Sequence, residues 1–409
     1  MKLLLFALLF IQVLSDTAFS QVPQPSLSSY PQIIIDILNQ TPRWKAPPET
    51  TPECLDSLKR TSLNPSLCHI QLKLDPLNSL RSKLFFDFDA EGKYGFKNID
   101  FQQTPTLKVR GLIGLHEKTL DRPQRPLVIF RMGIHGNRDE FTAERFLIKI
   151  LYEDLGYHVL MLESLTSHGF IMANEKVSFG GLEEGLQSFY VINQIYKKEL
   201  PWTDQVSDIH MMAISMGGEG TFLAASLDEQ TIHQIKSVQL FCPVVNLQKT
   251  FEYHAQPGLA NALGDLWNSL RLKALIARTP ELQKLSLWKM LFDLTPRFSP
   301  RLVEIINEQS QAPLLSLTDL EKKFPYLKIP QDFKQHLEKS RNFYERNNFW
   351  PTFKNEKTPI QVVVTPNDVM AINDLNSNLI RNGQQPGTFK QVSFVDVEGF
   401  HCGLAQEYQ

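Results

Sequence analysis

The chain has 409 residues, of which 42 are basic and 44 are acidic, so its formal net charge is −2. Hydrophobic residues make up 42% and charged residues 21%, a globular composition that excludes collagen-like, disordered and disulfide-scaffold classes. The charge gives no basic excess to neutralise phosphates, which argues against nucleic acid as a partner. The length accommodates two or three domains, or one large domain with an insertion.

The first twenty residues have the features of a secretory signal. Lys2 is followed by an apolar run that ends at Leu14, and small residues stand at Ala18 and Ser20. The run is too short to span a bilayer and has no polar face, so a signal peptide is favoured over a buried first helix. No later segment offers about 18 consecutive apolar residues. We therefore expect a soluble secreted or periplasmic protein, cleaved near Ser20, without a transmembrane span.

Export makes the four cysteines interpretable, because disulfides persist outside the reducing cytosol. Cys54 and Cys68 lie in one polar, proline-containing stretch, where a local bridge is the favoured interpretation. Cys242 and Cys402 are far apart in sequence, and two alternatives stay open for them, a second bridge or a buried free thiol at Cys242. No His or Cys cluster has zinc spacing such as C-x-x-C, so we expect no structural metal.

Residues 21–80 are rich in Pro, Ser, Thr and Asn and are predicted to form an N-terminal extension with one short helix over 33–39. Beyond them, apolar strands alternate with amphipathic helices, a pattern that predicts a mostly parallel sheet covered on both faces. Strands are predicted at 84–88, 107–115, 127–131, 157–162, 209–214, 237–242, 360–364 and 392–395, and helices after 136 (ending near 156), at 183–196, 218–227 and 371–380.

The alternation breaks between about 247 and 357, where apolar stripes at helical spacing are interrupted by prolines. An insertion within a continuing α/β pattern is typical of a cap or lid. We therefore predict a core in two parts, 81–246 and 358–409, with a helical cap over 247–357 between them.

The sharpest local motif is Ala213-Ile214-Ser215-Met216-Gly217-Gly218, which follows an apolar strand and opens a helix. A serine on so tight a turn needs small neighbours, and Gly217 and Ala213 meet that need. The turn directs the Ser215 hydroxyl at the positive end of the following helix, and the backbone N–H of Met216 toward a developing oxyanion. Ser215 is therefore the candidate nucleophile.

A second motif, Gly133-Ile134-His135-Gly136-Asn137, follows the predicted strand 127–131. We expect its loop to supply another oxyanion donor, the backbone N–H of Asn137 first and that of Gly136 next. A catalytic-base role for His135 is disfavoured, since the surrounding glycines suit a loop shaped by its backbone.

The third pattern is at the C-terminal ends of the last two predicted strands, where Asp368 and His401 stand. Such strand ends are where parallel sheets build their sites. His401 is expected to take the Ser215 proton, and Asp368 to hold the imidazole and stabilise its charged form. Taken singly, Asp368 also fits a helix N-cap and His401 a loop residue. Together with Ser215, in the order Ser, Asp, His, they favour a catalytic triad.

With these motifs, the stretch from about Leu107 to Cys402 resembles the α/β-hydrolase superfamily, and within it the capped esterases, lipases and serine-aminopeptidase-like members. The resemblance implies an α/β-hydrolase fold, with helices on both faces of the sheet and a helical cap before the acid-bearing strand. Two departures stand out: Ala213 replaces the first glycine of the elbow, and residues 163–169 lack the usual acidic, glycine-rich signature, which leaves the subfamily open.

Three functions compete. The first is a secreted serine hydrolase that cleaves a small-molecule or lipid-like carboxylic ester through an acyl-enzyme, without a cofactor. The second is a peptidase that acts on peptide N-termini with the same triad. The third is a binding protein that uses the fold without catalysis. A nucleotide or flavin is not indicated, because Gly217-Gly218-Glu219-Gly220 lacks the G-x-G-x-x-G spacing.

Overall fold

An eight-stranded, mostly parallel sheet is the centre of the protein in the computed structural model. The structure describes residues 72–74, 92, 94–120, 123–138, 147–148, 150–176, 178–258, scattered positions between 261 and 304, and residues 313–353, 357–366, 368, 370–382, 391–397, 401–403 and 406–408. The predicted signal peptide, the Cys54–Cys68 bridge and the predicted strand 84–88 lie outside the described residues.

The strands are β1 (Leu72–Leu74), β2 (Lys97–Thr104), β3 (Leu107–Gly114), β4 (Arg125–Arg131), β5 (His158–Leu162), β6 (Val206–Ile214), β7 (Ile235–Phe241), β8 (Ile360–Val364), β9 (Val392–Asp396) and β10 (Gln406–Tyr408). The main sheet has the order β2-β3-β5-β4-β6-β7-β8-β9, while β1 and β10 form a separate antiparallel pair. In the main sheet β3 runs antiparallel to both neighbours, and every pair from β5 to β9 is parallel.

Burial explains which strands the sequence predicts. Every residue of β5 is buried, as are the last five of β4, so both strands have the near-continuous apolar runs of a sheet covered on two faces. The predicted strands from 107–115 onward are all present, within a few residues at their ends. By contrast β2, which the sequence does not predict, is an edge strand with four of its eight residues exposed and the mostly polar sequence KNIDFQQT.

The helices are α1 (His168–Asn174), α2 (Gly181–Tyr196), α3 (Gly217–Glu229), α4 (Leu247–Ala255), α5 (Leu317–Lys323), α6 (Gln331–Lys339), α7 (Phe343–Asn347) and α8 (Ser377–Arg381). Short 3₁₀ turns lie at Thr203–Gln205, Trp350–Thr352, Asn373–Leu375 and His401–Gly403, and a π-helical turn at Ile150–Asp154. Within the described part of the chain, no helix combines the length and the apolar character needed to cross a membrane.

Helix α2 is buried at 14 of its 16 positions because protein packs on both of its sides. On one side α3 approaches closely: a Cβ added to Gly185 would lie 2.7 Å from the Cβ of Leu223. On the other side the backbone N–H of Leu314 donates to Glu183 (2.7 Å), and the Tyr326 hydroxyl donates to the side-chain oxygen of Asn193 (2.8 Å). This double coverage fixes the helix next to the sheet and to α3.

The chain divides into two compact units, one of Met1–Lys45 with Phe251–Ile305 and one of Ala46–Thr250 with Ile306–Gln409. The range predicted as the cap, 247–357, crosses the boundary between the units, and its role as a cap stays a prediction. Residues 313–353 belong to the unit that holds the sheet, where Phe324, Phe333 and Trp350 join the same hydrophobic core as the strands. Helical periodicity shows that a face is apolar, but it does not show which core that face joins.

Candidate active site

Ser215 stands between β6 and α3 with a φ of 54°, in the left-handed region that side chains other than glycine rarely adopt. Such a conformation costs on the order of 1–3 kcal/mol and persists where the surroundings over-determine it. Here the Ser215 N–H donates to the Phe241 carbonyl (2.9 Å), and its carbonyl accepts from Gly218 (2.9 Å) and Val244 (3.1 Å). The segment 241–244 at the end of β7 thus binds both the N–H and the carbonyl group of Ser215.

The glycines of the elbow are required by close approach. A Cβ on Gly217 would lie 2.7 Å from the carbonyl oxygen of Met132 and 2.9 Å from that of Arg131, and one on Gly218 would lie 2.6 Å from the Cβ of Pro243. Backbone atoms cannot yield cheaply to such contacts. The small neighbours that the sequence predicts around the serine are therefore needed by the packing between β4 and the elbow.

The loop after β4 touches the elbow at Gly133. A Cβ on Gly133 would lie 3.4 Å from both the Ser215 Cβ and the Ile214 carbonyl oxygen. The N–H of Gly136, a predicted oxyanion donor, donates to the Gly133 carbonyl (2.9 Å) and is thereby engaged inside the loop. Asn137, the other predicted loop donor, is buried. The sequence motif includes Gly133 but does not predict that it lies close to Ser215.

Two backbone N–H groups flank the serine without an intramolecular acceptor. Among the residues that the structure describes, neither the N–H of Met216 nor that of Ile134 donates a hydrogen bond. Met216 directly follows Ser215, and Ile134 directly follows Gly133, the loop residue that touches the serine. Within the described part of the chain, both N–H groups are therefore left without an acceptor.

His135 has a structural task in the same loop. Its φ is 60°, its backbone N–H donates to the Thr166 hydroxyl (2.7 Å), and its Nδ1 lies 3.2 Å from the Thr166 carbonyl oxygen. These bonds tie the loop to the turn that follows β5, which agrees with the sequence argument against a catalytic role.

Asp368 and His401 are brought together at the ends of β8 and β9. The Nδ1 of His401 lies 2.8 Å from Oδ1 and 2.9 Å from Oδ2 of Asp368. Oδ1 also accepts the N–H groups of Met370 and Ala371, both at 2.8 Å, and Oδ2 accepts the N–H of Cys402 at 3.3 Å. The carboxylate therefore caps its own turn and orients the imidazole, so the two interpretations of this residue hold together.

Burial alone would raise the pKa of Asp368. The charge of His401 and the hydrogen bonds from His401, Ala371 and Met370 outweigh burial, so the pKa lies below its usual range. The carboxyl is consequently ionised throughout the neutral range and can stabilise an imidazolium.

The other ring nitrogen, Nε2 of His401, faces a disulfide. It lies 3.5 Å from Sγ of Cys402 and 4.0 Å from Sγ of Cys242. Within the part of the chain that the structure describes, it makes no hydrogen bond to the Ser215 hydroxyl. Hydrogen bonds between nucleophile and base are often long in unliganded enzymes and tighten with substrate.

The Cys242–Cys402 disulfide decides between the two alternatives left by the sequence. The Cα atoms are 5.1 Å apart, within the usual range for a bridge. The two sulfur atoms, a ring nitrogen of His401 and a carboxylate oxygen of Asp368 lie within 4.8 Å of one another. In the oxidised form the sulfurs are not thiolates, the form of cysteine that binds metals.

A buried charged cluster lies directly beneath the elbow, and sequence reasoning missed it. Arg131, the last residue of β4, is fully buried, with its Nε 3.7 Å from Glu184 and its Nη2 3.5 Å from Gln187. Glu219, in the first turn of α3, accepts the N–H of Gly181 at 3.0 Å. Burial raises the pKa of Glu219 well above its usual range, which favours the neutral acid.

Among the solved structures that match this chain are two esterases and a peptidase. The esterase Pf2001 of Pyrococcus furiosus is 12% identical over 78% of this chain and 88% of its own, with a TM-score of 0.42. Est1E from Butyrivibrio proteoclasticus is 16% identical over 75% and 90%, with a TM-score of 0.39. The acylaminoacyl peptidase of Pyrococcus horikoshii is 12% identical over 75% of this chain but 37% of its own, with a TM-score of 0.37. No family model matches the sequence, and a search of curated proteins found no match.

The features that decide the fold are in the chain itself. A mostly parallel sheet of eight strands has helices packed against it, and a serine with a φ of 54° stands on the sharp turn from β6 to α3. An acid and a histidine follow β8 and β9 in the chain order Ser, Asp, His. This chain has the α/β-hydrolase fold that its sequence predicts.

Proposed function

We propose that the protein is a secreted serine hydrolase that cleaves carboxylic esters through an acyl-enzyme. One observation carries the proposal. Nδ1 of His401 lies within hydrogen-bond distance of both carboxylate oxygens of Asp368, at the strand ends beside a serine held in a strained turn. The predicted signal peptide and the disulfide support secretion, because disulfides persist in oxidising compartments. The esterases among the similar structures support the ester as substrate class.

In this mechanism Nε2 of His401 accepts the Ser215 hydroxyl proton as Oγ attacks the ester carbonyl carbon. Asp368 keeps the Nδ1 proton in place and stabilises the imidazolium. The imidazolium then returns the proton to the departing alcohol, leaving an acyl group on Ser215. Water, deprotonated by the same imidazole, releases the acid and restores the hydroxyl.

The tetrahedral oxyanion is held by backbone N–H groups. The first donor is Met216, whose N–H has no intramolecular acceptor among the described residues. For the second we propose Ile134 in place of the Asn137 and Gly136 donors expected from sequence. The Ile134 N–H also donates no hydrogen bond to the described residues, and Ile134 follows Gly133, which lies close to Ser215. By contrast, the Gly136 N–H already donates to the Gly133 carbonyl. Each such donor contributes about 10²–10³-fold in kcat.

A fluorophosphonate probe tests the proposal, because it phosphonylates only an activated serine. We expect one adduct, located by mass spectrometry on Ser215, and its loss in Ser215→Ala and His401→Ala. The matched control is His233→Asn, which alters an exposed histidine that also has a positive φ, 56°. A folded protein with no adduct, or with an adduct that survives Ser215→Ala, would overturn the proposal.

A substrate panel then separates ester from amide cleavage. We expect turnover of p-nitrophenyl esters, tested with increasing acyl length and with a feruloyl ester, since Est1E has been solved with ferulic acid bound. Aminoacyl p-nitroanilides form the second arm, which the acylaminoacyl peptidase among the similar structures supports. Faster cleavage of the anilides would replace the ester by a peptide N-terminus as the substrate.

A further inference from the structure

A disulfide joins the residue that follows His401 to the strand end beside the Ser215 elbow. We propose that the Cys242–Cys402 bond positions the His401 imidazole, so that turnover requires the bond to be oxidised. This inference rests on the proposed serine-hydrolase function, which it extends by a redox condition.

At one end, the bond fixes the backbone of the base. Cys402 is the next residue after His401, and its N–H donates to Oδ2 of Asp368, the oxygen that also contacts the imidazole. Its sulfur lies 3.5 Å from Nε2 of His401. Movement at Cys402 therefore moves the imidazole and disturbs the hydrogen bonds that orient it.

At the other end, the bond is anchored where the nucleophile is held. Cys242 is fully buried, and its N–H donates to the carbonyl of Val363 in β8 (2.8 Å). The preceding residue, Phe241, accepts the Ser215 N–H through its carbonyl (2.9 Å). The disulfide thus joins the residue after Phe241, which binds the Ser215 N–H, to the residue after His401.

Both cysteines have positive φ angles, 40° at Cys242 and 57° at Cys402. Residues other than glycine keep this conformation only where the surroundings impose it. The disulfide supplies such a constraint at Cys402, and breaking it allows the backbone beside His401 to relax. A misplacement of about 1 Å near the reacting groups lowers a rate by about 10²-fold.

Reduction follows ordinary thiol–disulfide exchange. A thiolate of dithiothreitol attacks one sulfur and forms a mixed disulfide, and its second thiolate then closes the cyclic oxidised reagent. Two electrons pass to the protein, which is left with thiols at Cys242 and Cys402. The partly exposed Cys402 offers the more accessible sulfur, since Cys242 is buried. Because two thiols and Nε2 of His401 would form a set of zinc ligands, EDTA is present throughout.

The test compares the oxidised and the reduced full chain at a temperature where near-UV circular dichroism shows both to be folded. Differential alkylation and mass spectrometry verify that Cys242 and Cys402 have been reduced. We expect reduction to lower kcat and the rate of fluorophosphonate labelling of Ser215 by about 10²-fold, with a much smaller change in KM. Reoxidation with oxidised glutathione should restore both rates. The Cys242→Ser/Cys402→Ser variant should match the reduced protein and be indifferent to reductant.

The outcomes separate this inference from the function on which it rests. Oxidised protein that labels on Ser215, with a reduced folded form that turns over as fast or faster, would refute the positioning role and leave the hydrolase standing. Absence of labelling in the oxidised protein would remove both. Unfolding on reduction would make the bond a stabilising element instead and would also overturn the inference. Should the double serine variant fail to fold, reduction and reoxidation of the Cys54→Ser/Cys68→Ser variant, which lacks the predicted local bridge, decide alone.

Discussion

Replacing Asp368 by asparagine separates the two tasks of this carboxylate. The Asn amide oxygen can take the position of Oδ1 and keep the N–H groups of Met370 and Ala371, each 2.8 Å from that atom. The amide nitrogen then stands where Oδ2 faces His401 and the Cys402 N–H. The amide nitrogen at the Oδ2 position donates toward Nδ1 and favours the tautomer with the ring proton on Nε2, where the base needs a lone pair, and only the oxygen at the Oδ1 position is left to accept from Nδ1.

We therefore expect Asp368→Asn to fold and to lose about 10⁴-fold in kcat, as wrong-tautomer variants of such triads do. That loss equals about 5 kcal/mol of activation free energy. Stability should fall by about 1–3 kcal/mol, since a hydrogen bond to a charged group is lost. Ester turnover and the fluorophosphonate labelling rate measure the first effect, and urea unfolding measures the second.

The matched control is Asp374→Asn, an exposed aspartate in the same segment whose Oδ1 accepts from Asn378 at 2.8 Å. It should leave turnover unchanged. If Asp368→Asn retained turnover within tenfold of the wild type while folded, the orienting role assigned to Asp368 would be refuted.

Two further variants test the elbow and a buried acid. Gly217→Ala places a methyl group against two backbone carbonyl oxygens. We expect this variant to lose about 1–3 kcal/mol of unfolding free energy and to react markedly more slowly with the fluorophosphonate. The control Gly258→Ala, whose Cβ would lie 3.6 Å from the nearest atom, should change neither quantity. Burial raises the pKa of Glu183 from 4.5 in the unfolded chain to about 7 in the folded protein. The protonated side chain therefore contributes fully to the free energy of unfolding below pH 4.5, and this contribution is lost as the pH rises through the folded-state pKa of about 7. Urea unfolding should show Glu183→Gln gaining about 3 kcal/mol on the wild type across that interval, and a pH-independent difference would contradict the shifted pKa.

The sequence predicts the central strands well because burial on both faces leaves them a continuous apolar signal. The same logic places Asp368 and His401, since residues that follow neighbouring parallel strands meet at one edge of the sheet. That these two are in contact is visible only in the structure. The edge strand β2 escapes prediction because one face meets solvent and its sequence is mostly polar.

Other features depend on contacts that no local pattern encodes. Which loop N–H is available depends on the turn that Gly136 closes with Gly133, and a motif cannot reveal that bond. The partner of Cys242 is fixed only when β7, β8 and β9 are known to be consecutive strands of the sheet. Membership of 313–353 in the sheet's own core likewise follows from tertiary packing, which overrides any boundary drawn where an alternating pattern stops.

The short pairing of β1 with β10 has a consequence for how the protein matures. Leu72 lies opposite Tyr408, so β1 can pair with β10 only after more than three hundred further residues have been synthesised. Asp368 and His401 also emerge long after Ser215, with residues 251–305 between them. A nascent chain therefore lacks part of the proposed triad through most of its synthesis. The proposed triad is complete only after β9 and the residues up to His401 have been added.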